Sequence, residues 1–136
     1  MTDPTMDDMS THRHAPYSTS TEARGAAALA HLSAIIAMVV SAGWLTFVGP
    51  LVMWLLYKDR NPFVRTAAAG SFNFNIWNWV IGIVGWIMVI TVVLAPVGFV
   101  LWGVSAILTL WCHIRGALKA ISGEQYRYPV TLRLLS

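Results

Sequence analysis

Between Gly25 and Tyr57, and again between Thr66 and Ile114, the sequence has no Asp, Glu, Lys or Arg. Charged residues make up 11% of the chain and hydrophobic ones 57%, whereas soluble domains carry about 25% charge. That scarcity excludes an ordinary water-soluble domain. No acid or base stands in the middle of an apolar stretch, which removes the groups that proton-coupled pumps and ion exchangers depend on. The one cysteine, Cys112, excludes an intrachain disulfide and reads as a small apolar residue near a helix end. There is no Gly-rich phosphate loop, no metal-ligand spacing, and no nucleophile with a base and an orienting acid. Neither enzymatic activity, nor a cofactor, nor a metal is therefore expected. The net charge of +3 comes without a basic helix or interleaved aromatics, so nucleic acid is not an expected partner.

What the chain does have is apolar length. About 20 apolar residues make one helical crossing of about 30 Å of hydrocarbon, so each uncharged run holds two. The apolar residues are continuous rather than alternating, which favours helices over a barrel. The expected fold is all-α, a polytopic membrane bundle of four transmembrane helices with an interfacial start to helix three. Residues 1–24 form a polar cytoplasmic tail with His12 and His14, whose composition predicts disorder. The transmembrane domain covers 25–122, and 123–136 form a short cytoplasmic C-terminal segment.

Breaks at Ser41-Ala42-Gly43 and Gly49-Pro50 place helix one over about Arg24 to Val40 and a short helix two over about Phe47 to Tyr57. Pro62 suits the start of helix three. Phe63 to Leu94 is too long for one crossing, so its first turns, through about Asn75, lie along the cytoplasmic interface or project beyond it. Ala95-Pro96-Val97-Gly98 is read as the next turn, and helix four as running to Ile121, with Gly123 supplying the positive φ of its cap. With four crossings all nine Lys and Arg residues fall on one side, while the opposite turns carry no charge. That side is cytoplasmic by the positive-inside rule, which puts both termini there and the protein in the cell inner membrane.

Small residues line narrow faces of helix one (Ala30, Ala34, Ala37) and helix four (Thr109, His113, Gly116, Ala120), suited to close helix packing or to a homo-oligomer. Asn73, Asn75 and Asn78 form the densest polar cluster in the uncharged regions. Asn75 and Asn78, three apart, line a polar path or bond helix one. His31 and His113 lie at the same cytoplasmic depth and are positioned to pair. Lys58, Arg60, Arg65, Tyr126, Arg127 and Tyr128 form a candidate cytoplasmic surface for protein partners or anionic lipid. The seven tryptophans read as belt and packing residues.

His31-Leu32-Ser33, Gly49-Pro50-Leu51-Val52-Met53-Trp54-Leu55-Leu56, Lys58-Asp59, Pro62-Phe63-Val64 and Asn73-Phe74-Asn75 together resemble a widespread family of small bacterial membrane proteins of unknown function. The ending, Lys119-Ala120, Gly123-Glu124 and Tyr126-Arg127-Tyr128-Pro129-Val130-Thr131-Leu132-Arg133, is similar to that family's closing signature. The resemblance covers about residues 27–134. The family is in turn similar to the Tic-type four-helix subunit of the chloroplast inner-envelope import translocon. It implies a four-helix fold and a role in protein translocation or membrane-protein assembly. Asn75 stands where relatives often have Gln, and Thr66–Gly70 lacks their charges. The leading expectation is a scaffold or translocation-related component acting through membrane or cytoplasmic proteins and surrounded by membrane lipid. The alternative is a homo-oligomeric channel or small-solute transporter built on the asparagines.

Overall fold

The Ser20 side chain accepts the Ala23 amide hydrogen at 3.1 Å and so starts helix α1, Thr21–Val40, before Arg24, with Glu22 favourably placed in the first turn. The structure, a computed structural model, describes residues 20–136; the leader with His12 and His14 lies outside them. After Ser41 the chain turns through Ala42 (φ 50) and Gly43 (φ 90). Helix α2, Val48–Tyr57, carries Pro50 in its first turn, where no helical amide is lost. Asn61 then caps α3, Pro62–Ile90, by accepting from the amides of Phe63 and Val64 at 3.0 and 3.2 Å, with Pro62 opening the helix.

The next turn falls at Thr91–Leu94, not at the expected Ala95–Gly98, and α4 runs Ala95–Ile121. The shift has two causes. Pro96 fits a first helical turn, and Gly98 serves close packing instead of turning: a Cβ there would lie 2.6 Å from the Gly85 carbonyl oxygen. The positive φ of this turn falls on Val92 (60°). At the other end of α4, Gly123 (φ 81) closes the helix as expected.

α1, α3 and α4 are long and apolar enough to cross a membrane, and α2 is a shorter apolar helix. α3 is continuous over 29 residues, about 43 Å at the helical rise, which is longer than a hydrocarbon layer of about 30 Å is thick. Its first turns are packed inside the bundle. Phe63, Val64, Ala67 and Ala68 join Ala23, Ala27, Ala28 and Ala30 of α1, Met53 of α2, and Ala117 and Ala120 of α4 in one buried cluster. A core this rich in alanine lets helices approach closely where lipid supplies no hydrophobic drive between them. Every charged side chain among the described residues lies at this end, where α1 and α3 begin, α2 and α4 finish, and the C-terminal segment folds back.

Candidate functional site

A polar side chain inside a spanning helix must find a partner within the protein. The three asparagines of α3 point to three different ones. Asn78 faces α4: its Nδ2 donates to Thr109 Oγ1 at 2.6 Å, and its Oδ1 accepts from Ser105 Oγ at 2.8 Å. Asn73 faces the C-terminal segment and behaves like a strand's peptide group. Its Oδ1 accepts from the amides of Leu134 (3.0 Å) and Leu135 (2.9 Å), and its Nδ2 donates to the Leu135 carbonyl at 2.8 Å. Removing all three bonds by Asn73→Ala should free the chain end at a cost of about 1–3 kcal/mol. Faster hydrogen exchange at Leu134 and Leu135, with unchanged exchange in α1, would show it.

Asn75 enters a chain of side chains that crosses the bundle. Its Nδ2 lies 2.8 Å from the Ser71 carbonyl and 2.8 Å from His113 Nε2. Tyr128 Oη lies 2.8 Å from His113 Nδ1 and 2.8 Å from His31 Nδ1. The hydrogens follow by elimination. A carbonyl oxygen only accepts, so the Asn75 amide must turn its nitrogen toward Ser71, and that nitrogen also donates to His113 Nε2. His113 is then neutral, carries its hydrogen on Nδ1 and donates it to Tyr128. The tyrosine hydroxyl in turn donates to His31 Nδ1. His31 thus keeps its hydrogen on Nε2, and both that nitrogen and Asn75 Oδ1 are buried without a partner.

Packing holds this chain dry. His31 and His113 are 1% and 0% exposed. Gly116 makes the space, because a Cβ there would stand 2.8 Å from His31 Nδ1. Phe74 stacks on Tyr128 at 4.8 Å, and Tyr126 meets Tyr128 edge-on at 4.9 Å. Gln125 donates to the Phe63 carbonyl at 2.8 Å, and Trp54 Nε1 to the Ser136 carbonyl at 3.3 Å. The C-terminal segment is thereby strapped across the charged end of the bundle.

Burial, with the Cys112 thiol beside it, pushes the Tyr126 hydroxyl up to about 12. Tyr128 is half-buried as a residue, but its hydroxyl sits between the two buried imidazoles and burial raises it well above the ordinary value. A phenol in a detached segment ionises near pH 10. Both groups therefore stabilise the attached strap fully below about pH 10, and the contribution is lost as pH rises from there toward the folded values. Limited proteolysis of 124–136 should show constant protection up to about pH 10 and release above it; Tyr128→Phe should remove that tyrosine's part of the transition.

The structure divides the sequence candidates. His31 and Asn75 belong to one hydrogen-bonded chain, Asn78 and Asn73 to separate contacts, and neither Asn75 nor Asn78 bonds helix one; Ser71 does, donating to the Ala30 carbonyl at 3.4 Å. His31 and His113 do come together, through a tyrosine. Lys58, Arg60 and Arg127 are exposed and Arg65 is half-buried. Tyr126 and Tyr128 leave the expected surface and turn inward, because in an extended segment residues two apart share a face and Arg127 takes the other. Tyr128 as the link, and Ser105 as Asn78's partner, went unread in the sequence; the Tyr-x-Tyr alternation after the α4 cap was the available signal.

Fold and site together define a small polytopic helical membrane protein whose buried polar side chains lock its C-terminal segment onto the bundle. The chain belongs to the MamF/MmsF family, the magnetosome magnetite crystal formation proteins, whose model matches residues 22–135. This is a family of magnetosome membrane proteins, in keeping with the resemblance to small bacterial membrane proteins. No curated protein and no solved structure matches the chain.

Proposed function

We propose that the protein is a non-enzymatic membrane scaffold, related in role to translocation and assembly components, that serves magnetite crystal formation through protein partners docking on its charged end. The observation that carries this is the separation of charge. Lys58, Arg60, Arg65, Arg115, Lys119, Arg127 and Arg133 share one end. The far turns, Ser41–Phe47 and Thr91–Leu94, hold no carboxylate, imidazole or thiol with which to grip iron or a mineral surface. An influence on crystals is then indirect, exerted on other proteins. By the positive-inside rule the charged end and both termini are cytoplasmic, in the cell inner membrane or membrane continuous with it. The asparagines support helix contacts, since each is spent on bonds to α4, to its own helix or to the C-terminal segment.

The test places a photo-crosslinking residue at Arg60 or Arg127 in living cells and reads the adducts by mass spectrometry. Capture of defined membrane or cytoplasmic proteins at these positions, and not at Val93 of the far turn, is the expected result. Adducts only with further copies of the chain, as a discrete oligomer, would sink the scaffold reading and favour the channel.

A further inference from the structure

The two helical hairpins differ in reach. α1 and α2 have 20 and 10 residues, α3 and α4 have 29 and 27, or about 30, 15, 43 and 40 Å. Contacts fix the level at which the short hairpin stops. Phe47 lies 5.9 Å from Trp79, and Trp44 lies 5.9 Å from Trp86. Beyond Trp86 on α3 and before Trp102 on α4, only those two helices remain. They pack tightly at Gly85 and Gly98 and expose Ile87, Ile90, Val93, Val97, Phe99 and Val100. That two-helix tip extends for about 10 Å, most of the far half of a 30 Å hydrocarbon layer.

Just below the tip the deficit continues as a half-open crevice of about 440 Å³ between the 41–47 turn, α3 and α4, walled by Trp44, Trp79, Trp86 and Trp102. Gly82 faces it, and a Cβ there would meet nothing within 4 Å. At the charged end the opposite holds: four helices and the pinned strap share the cross-section. The molecule is a wedge, wide at its charged end and narrow at the other.

We infer that the protein recognises membrane curvature, partitioning into bilayers that are convex on its charged side and concave on the far side. In a flat bilayer, far-leaflet chains must splay or tilt to fill the volume that the short hairpin leaves, a mismatch that costs free energy with each ångström. In a bilayer of that curvature, the available area per molecule also narrows toward the far side, and the wedge fits without that distortion. The inference rests on the helices spanning the membrane, and it is independent of any protein partner.

The experiment reconstitutes the full chain, labelled at its N-terminus, into pure-lipid vesicles of mixed size and measures protein density per membrane area, vesicle by vesicle. The expected result is a severalfold higher density on small sonicated vesicles than on large extruded ones, with the charged end outside by protease accessibility. Equal density at all sizes, or a charged end facing the lumen of the small vesicles, would overturn the inference. Density that follows anionic lipid content rather than vesicle size would overturn it too, because attraction of the basic residues would then suffice. Gly82→Phe with Gly103→Trp adds bulk to the middle and far part where neither Cβ meets an obstacle; with unfolding unchanged, this variant should flatten the size dependence. Because no other protein is present, failure here leaves the partner reading standing, and failure of crosslinking leaves this one.

Discussion

Replacing Tyr128 by alanine should lower the stability of the bundle by about 3 kcal/mol, the lower end of the range for deleting a core aromatic ring, because the residue is half-buried. The ring's stacking on Phe74 at 4.8 Å is lost, and so are both hydroxyl bonds that join α1 to α4 through the strap. Tyr128→Phe isolates the second part. It keeps the ring but leaves the His113 Nδ1 hydrogen without an acceptor and His31 Nδ1 without a donor, at a cost of about 1–3 kcal/mol. Arg127→Ala, on the exposed side of the same segment, should stay within about 0.5 kcal/mol of wild type. Unfolding in lipid bicelles would rank the three. A Tyr128→Phe variant as stable as wild type would show that the hydroxyl holds nothing together.

Gly49→Val should be the most damaging change in the short hairpin, costing about 3 kcal/mol. A Cβ at Gly49 would stand 2.6 Å from the Ser33 carbonyl oxygen and 2.8 Å from its carbonyl carbon. Both are backbone atoms, and α1 cannot retreat, because Ala30 and Ala34 on it are fully buried. The expected result is loss of the α1–α2 contact, seen as faster hydrogen exchange in Val48–Tyr57 while the α3–α4 hairpin stays protected. Gly103→Ala gives the opposite sign. Its Cβ meets nothing within 4 Å, so the helix gains from alanine's propensity, up to about 1 kcal/mol. Measured together, the pair separates glycines that permit contact from glycines that do not.

The short hairpin was legible in the sequence as far as its boundaries, since Gly43, Gly49-Pro50 and the run of Lys58-Asp59-Arg60-Asn61-Pro62 punctuate the chain near the points where the helices stop and start. Its level against α3 was not. Helix ends are written in local turn chemistry, whereas relative depth is set by which residues pack, here Trp44 on Trp86 and Gly49 on Ser33. The same limit explains the misplaced second turn: Pro96 and Gly98 both look like turn residues, and only the neighbouring helix reveals that Gly98 is a contact. It also explains the tyrosines. The thirteen residues 124–136 have no periodicity strong enough to say which face is covered, and aromatic residues beside arginines read equally well as a surface.

For the candidate site, the sequence supplied the polar residues worth inspecting, because His31, His113, Asn73, Asn75 and Asn78 are conspicuous where charge is absent. It supplied neither their grouping nor their order, since α3 presents its asparagines at different angles and the partners lie on α4 and the C-terminal segment, far away in the chain.

The sequence by itself determined that this protein lives in a membrane, that it is helical, and that its charge gathers at one end. Backbone groups in lipid have no other partner, and charged side chains no cheaper place. Only the tertiary structure decided that Tyr128 bridges two histidines and that four helices narrow to two. Those features depend on side chains and helix ends meeting across long stretches of chain, and contact of that kind is fixed by packing rather than by any local pattern of residues.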